Sequence, residues 1–449
     1  MARSSSRGVK PVYLLLGSTL VLALMGLLMI YSAASVSDYV QRGTSSYHMV
    51  RQLVWLLAGG AGMWLASRVD VRFGARRPGL LRDPAALSWG VWAFAVAGLV
   101  AVLLFGESRY GAQRWLDLGP ISLQPSEFAK LGCVLVTALA LAQWSKGQIP
   151  SNVLAGRLLA SAGVVFLLVM LQPDMGTAVS VVAPVYLLLL LGGVSARVLV
   201  ALFAGGAAGA AVLVWVASYR LDRLMAFLDP WKDPLGAGFQ IIQSLYAFGS
   251  GGVGGVGLGL SRQKFFYLPA AHTDFIFAIV GEEFGLIGTL IVVLAFVVFT
   301  YAGIRIALQA SNEFDRLLAG GITAMIATQA IMNMAAVTGL MPITGIPLPL
   351  MSYGGSSLMF TLGCIGLVVG VARRSSREAA RARGVRVPAT PSSASGAARI
   401  HLVQNTAARS SRPQATKGSQ GEVSAQRRRN GGSHLPGADR GVSARRRRA

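Results

Sequence analysis

From Tyr13 to Met29 the chain runs without one charged side chain, and nine further, mostly apolar stretches follow it. Each approaches the roughly 20 apolar residues that an α-helix needs to cross a bilayer core. They fall near 12–34, 50–67, 86–105, 127–144, 157–171, 175–193, 197–217, 274–303, 316–339 and 352–372. Of the 449 residues, 53% are hydrophobic and only 13% are charged, about half the charged share of a soluble domain. So small a polar supply cannot cover this much apolar surface in water. The sequence predicts an all-α polytopic membrane protein of about ten transmembrane helices.

Arg3, Arg7 and Lys10 precede the first stretch, as they would in a signal peptide. The stretch is too long for a signal core and no small-x-small cleavage site stands out, so it reads as a retained helix. Leu171 to Met175 is the whole link between the fifth and sixth stretches, which predicts an antiparallel hairpin. Basic residues then set the orientation. Arg68, Arg72, Arg76, Arg77 and Arg82 crowd the second connection and place it in the cytoplasm. The N-terminus, residues 1–11, and the C-terminus fall on the same side. The long connection 218–273 is then extracytoplasmic.

Net charge is +23, but the 77 residues from Arg373 onward hold 18 basic and 3 acidic side chains. That segment, 373–449, is rich in Ala, Ser, Arg and Gly and too poor in apolar residues to offset its ordering entropy, so it reads as a disordered basic tail. Arg427–Arg429 and Arg445–Arg448 suit anionic lipid headgroups. Nucleic acid would attract the same charges, but a tethered tail meets lipid first, and no specific nucleic-acid partner is expected. Cys133 and Cys364 lie in apolar runs, and the four histidines, 48, 272, 401 and 434, are scattered. Neither pattern suggests a zinc site or a disulfide framework. The glycine run from Gly249 to Gly255 lacks the GKS/T ending of a P-loop.

Intramembrane ionisable groups are costly and point to function. Three places near the outer ends of the spans carry them or break the helical pattern. The first runs from Arg109, Arg114 and Trp115 to Gln124-Pro125-Ser126-Glu127 and Lys130. Pro125 suits a first helical turn, Gln124 or Ser126 could cap it, and Glu127 and Lys130 share a face. The plain reading of this place is an interfacial helix start with a Trp anchor and one local ion pair.

The second runs from Tyr267 through His272 and Asp274 to Glu282 and Glu283. Asp274 is expected in the first turn of a helix, where the dipole lowers a carboxylate pKa, either as a cap or as a reactive group. Glu282 lies about 12 Å further along and roughly 80° around; of the two glutamates it is the one favoured to share a cavity with Asp274. The third, Leu340 to Ser357, carries Pro342, Pro347, Pro349 and several glycines without a charge. Non-helical backbone at membrane depth survives only against protein or a wet cavity. Ser352, Gly354 and Ser356 are its candidates for holding a polar ligand.

Together these segments resemble the shape, elongation, division and sporulation (SEDS) family of bacteria, which includes RodA, FtsW and SpoVE. The resemblance spans about 12–372. It rests on Leu268 to Gly285 (LPAAHTDFIFAIVGEEFG), Gly345 to Ser357 (GIPLPLMSYGGSS), Gln172 to Thr177, and Gly238 to Ser244 with Gln240 and Gln243. Ser261 to Lys264 and the paired Ser356 and Ser357 look more like the division branch, FtsW, than RodA. Tyr110 and Ala270 depart from the family's pattern.

The resemblance implies a peptidoglycan glycosyltransferase of the bacterial cytoplasmic membrane, acting with a class B penicillin-binding protein and other divisome proteins at the septum. It would polymerise lipid II outside the membrane. Asp274 would be the general base on the acceptor hydroxyl, and undecaprenyl pyrophosphate would leave with inversion. The leaving charge calls for a divalent cation, Mg or Mn, or for nearby basic groups; Arg109, Arg114, Lys130, Arg262 and Lys264 are the candidates. No organic cofactor is implied. Two other readings stand beside it: a lipid II flippase, since transporters also use broken helices, and a non-catalytic scaffold of the division machinery. No hydropathy repeat links the two halves, and the polar sites cluster on one side, whereas a carrier needs access from both.

Overall fold

The computed structural model describes residues 10–69, 83–109, 112–117, 119, 122–216 and 218–382. These belong to one compact unit, Met1–Val387. Ten helical spans pack within it, at the places where the apolar runs fall. They are α1 (Pro11–Arg42), α2 (Tyr47–Ala66), α3 (Pro84–Phe105), α4 (Pro125–Ser145), α5 (Ser151–Leu158) continuing into α6 (Val164–Leu171), α7 (Met175–Leu191), α8 (Ala196–Val216), then α11 (Ile276–Leu308), α12 (Glu313–Val337) and α13 (Gly355–Ala382). α5 and α6 are one span, joined by a π-helical turn at Leu159–Gly163.

Burial follows from composition. α4 and α12 are buried nearly all round, because they carry Glu127, Lys130, Gln329 and Asn333, polar groups that must face protein rather than lipid. α8 is exposed along most of its length, with Leu202, Phe203, Val212 and Trp215 facing outward, the character of a lipid-facing helix. Close approach uses small residues, as in membrane bundles. Gly59 of α2 faces Leu362 of α13, and Gly366 of α13 meets the Met63 carbonyl. Gln172 donates from its side chain to the Leu99 carbonyl, 3.0 Å, and so ties the α6–α7 hairpin to α3.

The connection 218–273 has structure of its own. It holds α9 (Ser218–Leu228), a short turn at Pro230–Lys232 and α10 (Phe239–Gly251). The glycine-rich stretch after α10 is explained by α11, whose helix breaks at Gly285 (φ 61°). The amides of Val256 and Gly257 donate to the Glu282 and Glu283 carbonyls, and those of Leu286 and Ile287 to the Gly252 and Val253 carbonyls. The interrupted helix and the loop thus satisfy each other's backbone groups. A Cβ on Gly255 would lie 2.1 Å from the Glu283 carbonyl oxygen, so the two backbones can meet only if that residue is glycine.

Two expectations change. The segment between α3 and α4 is a small antiparallel meander, β1 (Glu107–Arg109), β2 (Ala112–Asp117) and β3 (Ser122–Leu123), in the order β1-β2-β3, which helical periodicity could not reveal. The expectation that order ends at residue 372 also fails, because α13 continues to Ala382. Arg373 donates to Ser67, and Arg374 donates to the Val69 carbonyl and to both Asp315 oxygens, so polar and charged partners hold the helix just past residue 372. Arg72, Arg76, Arg77, Arg82 and the remaining tail, 383–449, lie outside the described residues.

Candidate functional site

Every polar segment singled out in the sequence lies at the bundle end where α4, α7, α11 and α13 begin. Asp274 lies two residues before α11, outside the first turn in which it was expected, and Phe275 is the N-cap. Its backbone carbonyl accepts from Asn333 of α12 at 2.7 Å, and the same amide group donates to the Ile346 carbonyl at 2.7 Å. Among the described residues nothing donates to its carboxylate. Burial, opposed by Arg114, pushes that carboxyl up to about 6. This reverses the helix-dipole expectation: taking the charge out of water outweighs the favourable field of a helix start.

Arg114 arrives from β2. Its Nε lies 2.9 Å from Asp174 Oδ2, and Asp174 is itself fixed as the N-cap of α7 by the Thr177 amide (3.1 Å) and hydroxyl (2.6 Å). Arg114 and Asp274 converge on Gly345. A Cβ there would stand 3.5 Å from Arg114 Nη1 and 3.7 Å from Asp274 Oδ2. Gly345 also has φ 68°, where side chains are strained. Trp115, next along β2, is half-buried and alternates to the opposite face from Arg114. The side chain of Arg109 lies outside the described residues.

The proline-broken segment 341–354 is held from behind. Lys130, 2% exposed, donates to Glu127 at 2.9 Å and to Gln329 Oε1 at 2.5 Å. Gln329 in turn donates to the Pro347 carbonyl at 3.0 Å. Ser352 accepts from the Leu348 amide (2.8 Å) and donates to the Thr273 carbonyl (2.6 Å), which splices the segment to the residue before Asp274. Gly354 is held by Gln52 at 3.4 Å. Gln124 is the buried N-cap of α4, though its side chain makes no capping bond. Ser356 Oγ is buried without a hydrogen-bond partner among the described residues.

Several candidates stand elsewhere. Glu282 does not face Asp274: its carboxylate accepts from the Ser261 hydroxyl and from the amides of Arg262 and Gln263. The break at Gly285 leaves it on a short half-helix turned into the loop. Lys264 is buried, donating to the Gly259 carbonyl at 2.5 Å and lying 3.7 Å from Glu283, so it is committed inside the loop. Arg262 is exposed, and Gln240 and Gln243 are half-buried on α10.

His272 packs its ring 4.9 Å from His48 and 5.9 Å from Tyr353. Burial drives its pKa down to about 4, so it is neutral at pH 7. His48 is hydrogen-bonded to Asp38 at 2.5 Å. Among the described residues no three His, Cys, Asp or Glu come together to hold a metal. Gln329, Asn333, Asp174 and Gly345 were not among the candidates. Gln329 and Asn333 stand four apart in an otherwise apolar span, and that amide pair on one helix face is the signal a search for charges passes over.

A ten-span bundle whose polar chemistry gathers around one carboxylate at a loop-to-helix joint is a membrane protein built to work at its surface. The pattern of the FtsW, RodA and SpoVE cell cycle proteins matches residues 13–377, and the chain belongs to that family. It is 40% identical over 385 residues to stage V sporulation protein E of Bacillus subtilis, covering 83% of this chain and 99% of that one. It is 37% identical over 366 residues to the probable peptidoglycan glycosyltransferase FtsW of Geobacter sp. strain M18, covering 79% and 94%. Among solved structures it resembles a chain of a peptidoglycan synthase complex that coordinates polymerization and crosslinking, with a TM-score of 0.63, 29% identity and 80% and 97% coverage. RodA of Thermus thermophilus aligns with a TM-score of 0.58, 27% identity and 80% and 96% coverage.

Proposed function

We propose that the protein is a peptidoglycan glycosyltransferase that polymerises lipid II at the outer face of the bacterial cytoplasmic membrane, for septal synthesis during division. The site end of the bundle would face outward, with both termini cytoplasmic. The observation that carries this reading is Asp274, a carboxylate with no described donor, set by Asn333 and Ser352 at the mouth of α11 and flanked by Arg114. A carboxyl titrating near 6 is matched to general-base work near neutral pH. Asp274 takes the proton of the acceptor sugar hydroxyl as its oxygen attacks the anomeric carbon, and the lipid pyrophosphate leaves from the opposite face. Glu127, Lys130 and Gln329 hold the far wall without touching the reacting atoms.

A divalent cation, Mg or Mn, would stabilise the charge on the leaving pyrophosphate. With Asp174 committed to Arg114 and Thr177, Asp274 is the remaining carboxylate at the site among the described residues, so such an ion would take most of its ligands from substrate phosphate and water, a habit of Mg. A class B penicillin-binding protein is the proposed partner. The relative in a synthase complex that couples polymerization to crosslinking supports it.

The test reconstitutes the purified chain with its cognate class B partner, lipid II and a divalent cation, and resolves glycan strands on a gel. Wild type should make polymer, and Asp274→Asn should make none while still binding the partner. Polymer from the variant removes the general-base role. Transfer of lipid II across vesicles without polymer would make the protein a flippase.

A further inference from the structure

Beside Asp274 lies a cavity of about 240 Å³ between the start of α7, α9, the end of α12 and the segment 341–344. Its wall is almost wholly apolar, with Val179, Leu224, Met332 and Met341 prominent. Arg223 of α9 is the one charged residue among its described lining residues. That guanidinium is exposed, has no ion-pair partner among the described residues, and is close enough for its charge to act on Asp274.

The cavity adjoins the site across the segment 341–345: Thr344 lines it. Gly176 touches the Thr344 carbonyl, where a Cβ would lie 2.3 Å away, and Thr344 precedes the Gly345 on which Arg114 and Asp274 converge. An apolar cavity of this size stays dry and takes hydrocarbon. An unpaired guanidinium at its edge takes phosphate oxygens.

We propose that Arg223 and this cavity seat the leaving polyprenyl pyrophosphate of the donor, phosphate on Arg223 and the first isoprene units against Met332 and Met341. The assignment rests on the glycosyltransferase reading. The acceptor oxygen–anomeric carbon bond forms as the anomeric carbon–phosphate oxygen bond breaks. The hydroxyl proton goes to Asp274, and the electron pair leaves on the pyrophosphate. Inversion places the leaving group across the anomeric carbon from the attacking hydroxyl, so its anion site must be a cation that is not held in an ion pair. Arg114 is already turned to Asp174; Arg223 is not so committed.

The test uses full-length protein in nanodiscs and a diazirine-bearing farnesyl pyrophosphate, with labelled peptides mapped by mass spectrometry. Label is expected within 332–344, competed by undecaprenyl pyrophosphate but not by phosphatidylglycerol. Arg223→Gln should cut labelling about tenfold, and Val179→Phe, which fills the cavity, should abolish it. Inorganic pyrophosphate should compete in wild type and in Val179→Phe, read there by protection of Arg223 from a guanidine reagent. Label elsewhere, competition by phosphatidylglycerol, or labelling indifferent to both variants overturns the proposal. A wild type that is labelled and competed here yet polymerises nothing sinks the glycosyltransferase reading and leaves the site standing. One that polymerises but labels elsewhere does the reverse.

Discussion

Asp274 combines two opposing influences at one atom pair. Burial raises its pKa to about 6, while Arg114 pulls it down. A general base works only when deprotonated, so polymerisation should rise from pH 5 to pH 7 with a midpoint near 6, read as initial rate against pH. The folded state holds this proton more tightly than the unfolded chain. Asp274 therefore favours folding increasingly as pH falls through about 6 toward its ordinary value, and activity and stability run in opposite directions there. Lys130 makes the second residue-level case. Lys130→Met would leave Glu127 buried and unpaired, a loss of about 3–5 kcal/mol, visible as a lower melting temperature in detergent. Adding Glu127→Gln should recover much of it. Gly345→Ala should weaken polymerisation by intruding between Arg114 and Asp274, with expression retained. Asp274, Arg114 and Lys130 were legible in the sequence because charge in an apolar chain stands out. Asn333 and Gln329 were not, because their role is to hold carbonyls that only the folded chain brings within reach.

Among the elements, α11 and the 341–354 segment carry the most consequence. The break at Gly285 frees backbone groups that the Gly252–Gly257 stretch satisfies, and Glu282 fastens the same loop through Ser261, Arg262 and Gln263. Gly255→Ala should therefore separate loop from half-helix. Hydrogen exchange should show amides 256–264 losing protection, with polymerisation falling alongside. Unchanged protection would mean that the loop is held without this contact. The glycines and prolines announced irregular backbone in the sequence. That one irregular stretch completes another, so that Glu282 turns away from Asp274, depends on a pairing of residues some thirty positions apart.

Across the whole molecule, the site end and the opposite end are secured by different means. The site end relies on carbonyls gathered by Asn333, Gln329 and Ser352. The opposite end relies on Arg374, which joins α13 to Asp315 of α12 and to the Val69 carbonyl after α2. Asp315 is 1% exposed, so Arg374→Gln should leave it buried with a weaker partner and lower the melting temperature without shifting the pH midpoint of polymerisation. A shift in that midpoint would show the two ends to be coupled.

The sequence by itself determined the membrane class, the number and places of the spans, the α6–α7 hairpin and the segments that break the pattern. These follow from local hydrophobicity and from the conformational limits of proline and glycine, which act within a few residues. Only the tertiary structure decided which polar groups meet. It set Asp274 beside Arg114 and Gly345, buried Lys264 in its loop, turned His272 toward His48 and Tyr353, and opened a cavity beside Arg223. Such meetings depend on packing between helices distant in the chain, and dehydration there can outweigh local fields, as the raised pKa of Asp274 shows.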